Sequence, residues 1–252
     1  MALRRVVVTG LGALTPIGNN IEEYWNGLIN GVSGAAPITY FDASKFKTQF
    51  ACEVKNFNVE DFIDRKEARK LDQFSQYAIV SATEAMADAG FDLEKLNVDR
   101  AGVIWGSGIG GLKTFQDECR DFFQGDGTPR FGPFFIPKMI ADIAAGHLSI
   151  KFGFRGPNFC TVSACASSTN AIVDAFNYIR LGKADVFITG GSEASVNEAG
   201  VGGFNALKAL STRNDDPTTA SRPFDLDRDG FVLGEGAGAL ILEEMNHAIA
   251  RG

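Results

Sequence analysis

Five short apolar runs, Arg5–Thr9, Gly102–Gly106, Asn158–Ser163, Asp185–Gly190 and Ala237–Glu243, recur along the chain between segments of helical periodicity. Strands with so little polar alternation belong to a sheet covered on both faces. The clearest intervening helix is predicted over Glu67–Ala89, where Leu71, Phe74, Ala78, Ala82, Ala85 and Ala89 form one stripe and Gly90 supplies the stop. Others are predicted over Ile21–Asn30, Leu112–Phe123, Pro137–Phe152 and Thr169–Leu181. This alternation specifies an α/β fold with a mostly parallel five-stranded sheet between helices. No proline-rich or low-complexity tract divides the 252 residues, so residues 1–252 read as one domain. After the last strand, Glu243–Ala250 opens another helix and the sequence stops at Gly252. In an alternating fold such a helix leads to a further strand, so the chain is expected to be part of a longer polypeptide.

Bulk properties exclude several classes. A net charge of −7 argues against a nucleic-acid surface. No apolar stretch approaches the roughly 20 residues that span a bilayer, and the run after Arg5 is too short for a signal peptide. Cys52, Cys119, Cys160 and Cys165 lack paired spacing, so neither a disulfide framework nor a metal site is expected, and a reducing cytoplasm is the expected location.

Chemistry concentrates at Ser163-Ala164-Cys165-Ala166-Ser167-Ser168, where a strand gives way to a helix. A thiol at a helix start faces unpaired N–H groups and the positive end of the helix dipole, which favour a thiolate. The same donors suit a developing oxyanion, and the small neighbours leave room for a thioester. The alternative is a buried structural cysteine; the elbow favours the nucleophile. The two histidines offer no persuasive base: His147 sits in an apolar helix and reads as a packing residue, and His247 sits among polar neighbours and is expected to be solvent-exposed.

Three other patterns fall short. Gly106-Ser107-Gly108-Ile109-Gly110-Gly111 matches the dinucleotide fingerprint, but no acidic residue ends a second strand about 20 residues later. Val8-Thr9-Gly10-Leu11-Gly12 reads as another, incomplete glycine-rich turn. Asp225–Gly230 opens like a calcium loop, yet its twelfth position is Gly236, with Glu235 one place early. No cofactor and no metal are expected.

Taken in order, seven blocks resemble the β-ketoacyl-acyl carrier protein synthases, most closely the type II enzymes of fatty acid elongation: Val7–Gly12, Gly106–Gly111, Arg155–Pro157, Ala164–Ser167, Gly190–Glu193, Ala209–Asn214 and Arg228–Gly238. The resemblance covers the whole chain but only the first half of such an enzyme. It implies the N-terminal half of a thiolase-like fold, in which two related α/β halves share a core, and an acyltransferase acting within fatty acid biosynthesis. Cys165 would accept an acyl chain from acyl carrier protein, its own N–H serving as one oxyanion donor. A histidine pair and a lysine in the second half would promote decarboxylation of malonyl-carrier protein, and the enolate would extend the chain by two carbons. Nothing here matches those groups, so this half alone is expected to be inactive and to expose an apolar face or self-associate.

The resemblance also implies individual roles. Ile109, Phe204 and Phe231 would shape the acyl and malonyl sites, with Phe135 contributed across a homodimer interface. Lys66, Arg69 and Lys70, with Lys208 and Arg130, would meet the acidic carrier protein. Two competing readings are a non-catalytic ketoacyl-synthase-like dimer partner, which retention of Cys165 disfavours, and a dinucleotide-dependent dehydrogenase, which the missing acid disfavours.

Overall fold

A computed structural model describes residues 3–252. Its strands are β1 (Val6–Leu14), β2 (Ala36–Pro37), β3 (Phe50–Ala51), β4 (Ala101–Gly106), β5 (Asn158–Thr161), β6 (Val186–Glu193) and β7 (Gly236–Glu244). Its helices are α1 (Ile21–Ile29), α2 (Arg65–Ala68), α3 (Gln73–Ala89), α4 (Leu112–Gln124), α5 (Phe135–Met139), α6 (Ile143–Phe152), α7 (Ser167–Arg180), α8 (Glu198–Ala206) and α9 (Met245–Arg251). No described helix is long and apolar enough to cross a membrane.

The central sheet has the order β1-β7-β6-β4-β5. β6, β4 and β5 pair in parallel, whereas β7 is antiparallel to both β6 and β1. Four strands therefore run one way and β7 alone opposes them: the sheet is mostly parallel in direction, although two of its four pairings are antiparallel. Successive residues point to opposite faces. Val103, Trp105, Val186, Ile188 and Ile241 pack toward α3 and α6, and Ile104, Phe187 and Leu242 pack toward α7. The result is a three-layer α/β/α sandwich, and the all-buried β4 accounts for the unalternating run seen in the sequence.

Three expectations need correction. Residues 67–89 do not form one helix: buried Asp72 caps the N–H of Phe74 and also receives the Thr114 N–H and hydroxyl, so α3 begins at Gln73 and the preceding turn is separate. Residues 137–152 divide at Ile140, whose backbone is extended. The Val8–Gly12 segment is not a turn but part of β1. A Cβ on Gly10 would lie 2.1 Å from the Ala85 carbonyl oxygen, and one on Gly12 1.9 Å from that of Ser81, so glycine there lets α3 rest directly on the strand.

His247 also differs from expectation. Its Nδ1 lies 2.5 Å from Glu243 Oε1, and Arg251 donates to both Glu243 oxygens at 2.8 and 2.9 Å. The reason is that the Glu243 side chain is 0% exposed, and a buried carboxylate requires partners. Burial alone would raise its pKa, but Arg251, His247 and Thr9 outweigh it and hold the carboxyl below the usual glutamate range. Asp185 is depressed likewise, chiefly by its hydrogen bonds from Arg100.

A depressed folded pKa stabilises the fold above the ordinary glutamate value of about 4.3, and that stabilisation disappears as pH falls through the lower folded value. Denaturant unfolding between pH 3 and 7, on the order of the carboxylate range, should show stability falling on the acid side. Glu243→Gln should flatten part of that slope and leave the Asp185 part. Arg251→Ala should cost about 1–3 kcal/mol at neutral pH, because it removes the guanidinium from a buried carboxylate and leaves His247 as its remaining close partner.

Candidate active site

The parallel strands bring their C-terminal ends to one edge. In register, Gly106 faces Thr161 on one side and Gly191 on the other; Glu193 faces Gly236, and Leu14 faces Ala237. Ligand sites in open α/β sheets gather at such an edge. Here the edge carries an open cleft of about 760 Å³, lined by Cys165, Ile109, Phe204, Phe231, Glu193 and Glu235 among others.

Cys165 reaches the cleft through a tight elbow between β5 and α7. Ala164 has φ 52°, a left-handed conformation unusual for a residue with a Cβ. Side chains hold it there. The Ser167 hydroxyl donates to the Ala164 carbonyl at 2.7 Å and accepts the Ser163 N–H at 2.9 Å, while Asn170 donates to the Ser163 hydroxyl at 2.6 Å. Thr161 donates to the Ser167 carbonyl at 2.7 Å. α7 starts at Ser167, two residues before the sequence suggested, with Ala166 at the cap, so Cys165 precedes the first turn rather than lying in it. The thiol is exposed. The turn uses the Ala166, Ser167 and Asn170 N–H groups and provides no acceptor for that of Cys165.

Glycine permits this placement. A Cβ on Gly106 would sit 2.4 Å from the backbone of Ser167 and Ser168, and one on Gly191 2.6 Å from the Ser168 Cβ. The buried stripe Ala171, Ala175 and Ile179 continues the close approach along the helix.

The cleft unites four of the expected residues. Ile109 lies on the loop from β4 to α4, and the Phe204 and Phe231 rings meet edge to face, 5.4 Å between centroids. Phe135 does not join them: on α5 it stacks on Phe131 at 5.3 Å, beside exposed Phe134 and Ile136. The basic residues sit on three separate elements. Lys66 and Arg69 are exposed at α2, Lys70 pairs with Glu67 at 2.6 Å, Arg130 pairs with Asp126 at 3.0 Å, and Lys208 follows α8, exposed and with φ 56°. Neither histidine lines the cleft. Burial lowers the pKa of His147 on α6, as expected of a packed residue.

Two carboxylates in the cleft wall, half-buried Glu193 and buried Glu235, carried no role in the sequence reading. Glu193 accepts the N–H groups of Gly108, Ile109 and Gly110 at 2.7, 3.1 and 3.2 Å. Burial raises its pKa against the opposing pull of those donors. It therefore occupies, from within the protein, the N–H concavity that a phosphate fills in a dinucleotide site. Glu235 accepts from Tyr40, Val54 and Tyr77 at 2.6, 2.9 and 3.1 Å, and burial raises its pKa as well. The signal for both was their place beside glycine-rich strand ends; which donors they meet depends on folding.

Residues 3–248 match the family described as Beta-ketoacyl synthase, N-terminal domain. Over 249 residues the chain is 51% identical to a 3-oxoacyl-[acyl-carrier-protein] synthase 2 of Synechocystis sp. and 50% identical to one of Staphylococcus aureus. In both cases 99% of this chain is covered, and it spans 60% of the relative's length. A β-ketoacyl synthase crystal structure from Burkholderia phymatum superposes with a TM-score of 0.88 at 34% identity, covering 99% of this chain and 61% of the other. The ishigamide ketosynthase/chain length factor superposes with a TM-score of 0.90 at 32% identity, covering 100% and 61%.

If close backbone contact is what seats the cysteine, Gly106→Ala should destabilise the fold by about 2–3 kcal/mol and slow alkylation of Cys165 by iodoacetamide. Gly146→Ala, a helix position with nothing within 4 Å of the added Cβ, should instead leave stability unchanged or raise it. Thermal unfolding and timed alkylation check both.

Proposed function

The chain belongs to the β-ketoacyl synthase family as its N-terminal domain, and on that premise we propose that it supplies the acyl-accepting half of a β-ketoacyl-acyl carrier protein synthase. The observation that carries this reading is an exposed thiol ahead of the α7 start, on the wall of an apolar cleft. In the proposed step the Cys165 sulfur attacks the carbonyl carbon of an acyl thioester on the carrier protein. The new carbon–sulfur bond replaces the carrier's own, and the carrier thiol leaves with the proton that Cys165 gives up. The Cys165 N–H, left without an acceptor by its turn, serves the transient oxyanion. Ile109, Phe204 and Phe231 line the acyl and malonyl sites.

Extension by two carbons then follows a decarboxylative Claisen condensation: malonyl-carrier protein loses carbon dioxide, and the enolate attacks the Cys165 thioester and releases the thiol. Imidazoles suited to decarboxylation are not contributed by this chain, because His147 and His247 lie outside the cleft. This half by itself therefore stops at acylation. Phe135 and its stacked neighbours form part of a homodimer contact that completes the partner's acyl site. Lys66, Arg69, Lys70, Arg130 and Lys208 steer the acidic carrier protein from three separate elements of a chain of net charge −7.

Incubating the intact protein with an acyl-carrier protein should give a mass adduct confined to Cys165, lost in Cys165→Ala and kept in Cys160→Ala, whose thiol burial pushes up in pKa. An intact protein that binds the carrier without forming the adduct would instead be a non-catalytic dimer partner. Reversing Lys66 and Arg69 to glutamate should raise KM for the carrier-bound donor roughly tenfold at low salt, while a small-thiol acyl donor is used as before.

A further inference from the structure

The β4–α4 loop is gripped from two sides. From the sheet edge, Glu193 accepts three consecutive N–H groups, those of Gly108, Ile109 and Gly110, and the Ser107 hydroxyl donates to it at 3.3 Å. The Ser107 oxygen in turn accepts the Gly110 N–H at 3.1 Å. From the other side, the Gly111 N–H donates to the Met139 carbonyl at 2.9 Å, where α5 ends. Three N–H groups converging on one half-buried carboxylate is an anion-binding arrangement satisfied internally. Among the cleft-lining residues of this loop, Ile109 is the apolar side chain, 41% exposed and in the same cavity lining as Cys165. Charge-assisted hydrogen bonds to backbone N–H are stronger than neutral ones, so this carboxylate is a strong anchor for the backbone that carries Ile109.

We propose that Glu193 is a positioning residue for acyl selection: it fixes Ile109 beside Cys165, so that Ile109 forms a wall for long acyl chains beyond the reacting carbonyl. The proposal rests on the acyl-transfer reading of the cleft. Glu193 itself touches no reacting atom. Its influence falls on the part of the substrate that differs between short and long chains, not on the thioester common to both.

The test compares the intact protein with Glu193→Gln, which keeps the shape but replaces one acceptor oxygen by a donor facing donors. The readout is kcat/KM for acylation of Cys165 by lauroyl and by acetyl carrier protein, with iodoacetamide alkylation as a check on the thiol. The expected result is a loss of about tenfold for lauroyl transfer, equivalent to one charge-assisted hydrogen bond, with acetyl transfer and alkylation changed less than about twofold. Ser107→Ala, which removes the second clamp on Gly110, should shift the same ratio in the same direction by a smaller factor, and stands in should the first variant not fold. Equal losses for both donors, or an unchanged ratio, would overturn the role of Glu193 while leaving the acyl-transfer reading in place. Absence of any adduct in the unsubstituted protein would overturn both.

Discussion

The start of α7 touches the ends of β4 and β6 backbone to backbone, and the rest of the site follows from that contact. Gly106 and Gly191 sit at the same level of adjacent parallel strands, and each lacks the Cβ that would strike Ser167 or Ser168. With the helix that close, the chain leaving β5 has only Val162–Ala166 in which to reverse, and Ala164 takes a left-handed conformation to manage it. The strain is of order 1–3 kcal/mol. Four hydrogen bonds from Thr161, Ser163, Ser167 and Asn170 hold it in place. Cys165 is thereby presented at the sheet edge by rigid elements, which preorganised chemistry requires.

Across the fold the protein withdraws carboxylates from solvent and gives each several donors, although one oxygen of buried Glu235 meets none among the described residues. Asp72 ties α3 to α4, Glu193 ties β6 to the loop before α4, Glu235 ties the segment entering β7 to Tyr40 and Tyr77, and Glu243 ties β7 to α9. A buried acid with one partner is a liability, whereas one with three or more fixes the relative positions of elements distant in sequence. The two acids in the cleft wall have raised pKa values and Glu243 a lowered one. The difference follows from the partners. Glu193 and Glu235 meet neutral N–H and O–H groups, while Glu243 meets the Arg251 guanidinium.

The layer order and the strand-to-helix elbow that carries Cys165 were legible in the sequence because they rest on local patterns. The apolar run at β4 reads directly as a strand buried on both faces, and the small residues around Cys165 read as an elbow. Three things were not legible, each because a tertiary contact overrides the local pattern. The stripe through residues 67–89 continues across a break set by Asp72, whose second partner, Thr114, lies 42 residues away. Gly10 and Gly12 look like a turn until α3 is placed on them. The polar neighbours of His247 suggest solvent, but one of them is a buried glutamate.

The glycine-rich segment after β4 shows what such a motif encodes. Glycines at these spacings let successive N–H groups converge, and that shape is shared by phosphate-binding loops. The pattern does not encode where the anion comes from. In a dinucleotide site it arrives with the ligand, and the loop lies open until it does. In this chain it is Glu193, 86 residues beyond Ser107 in sequence and brought alongside by the parallel pairing of β4 and β6. An internal anion cannot leave, so the concavity becomes a fixed mount instead of a binding site. What the mount holds toward the cleft is an apolar side chain, Ile109, which turns a motif associated with charged cofactors into part of a wall suited to hydrocarbon.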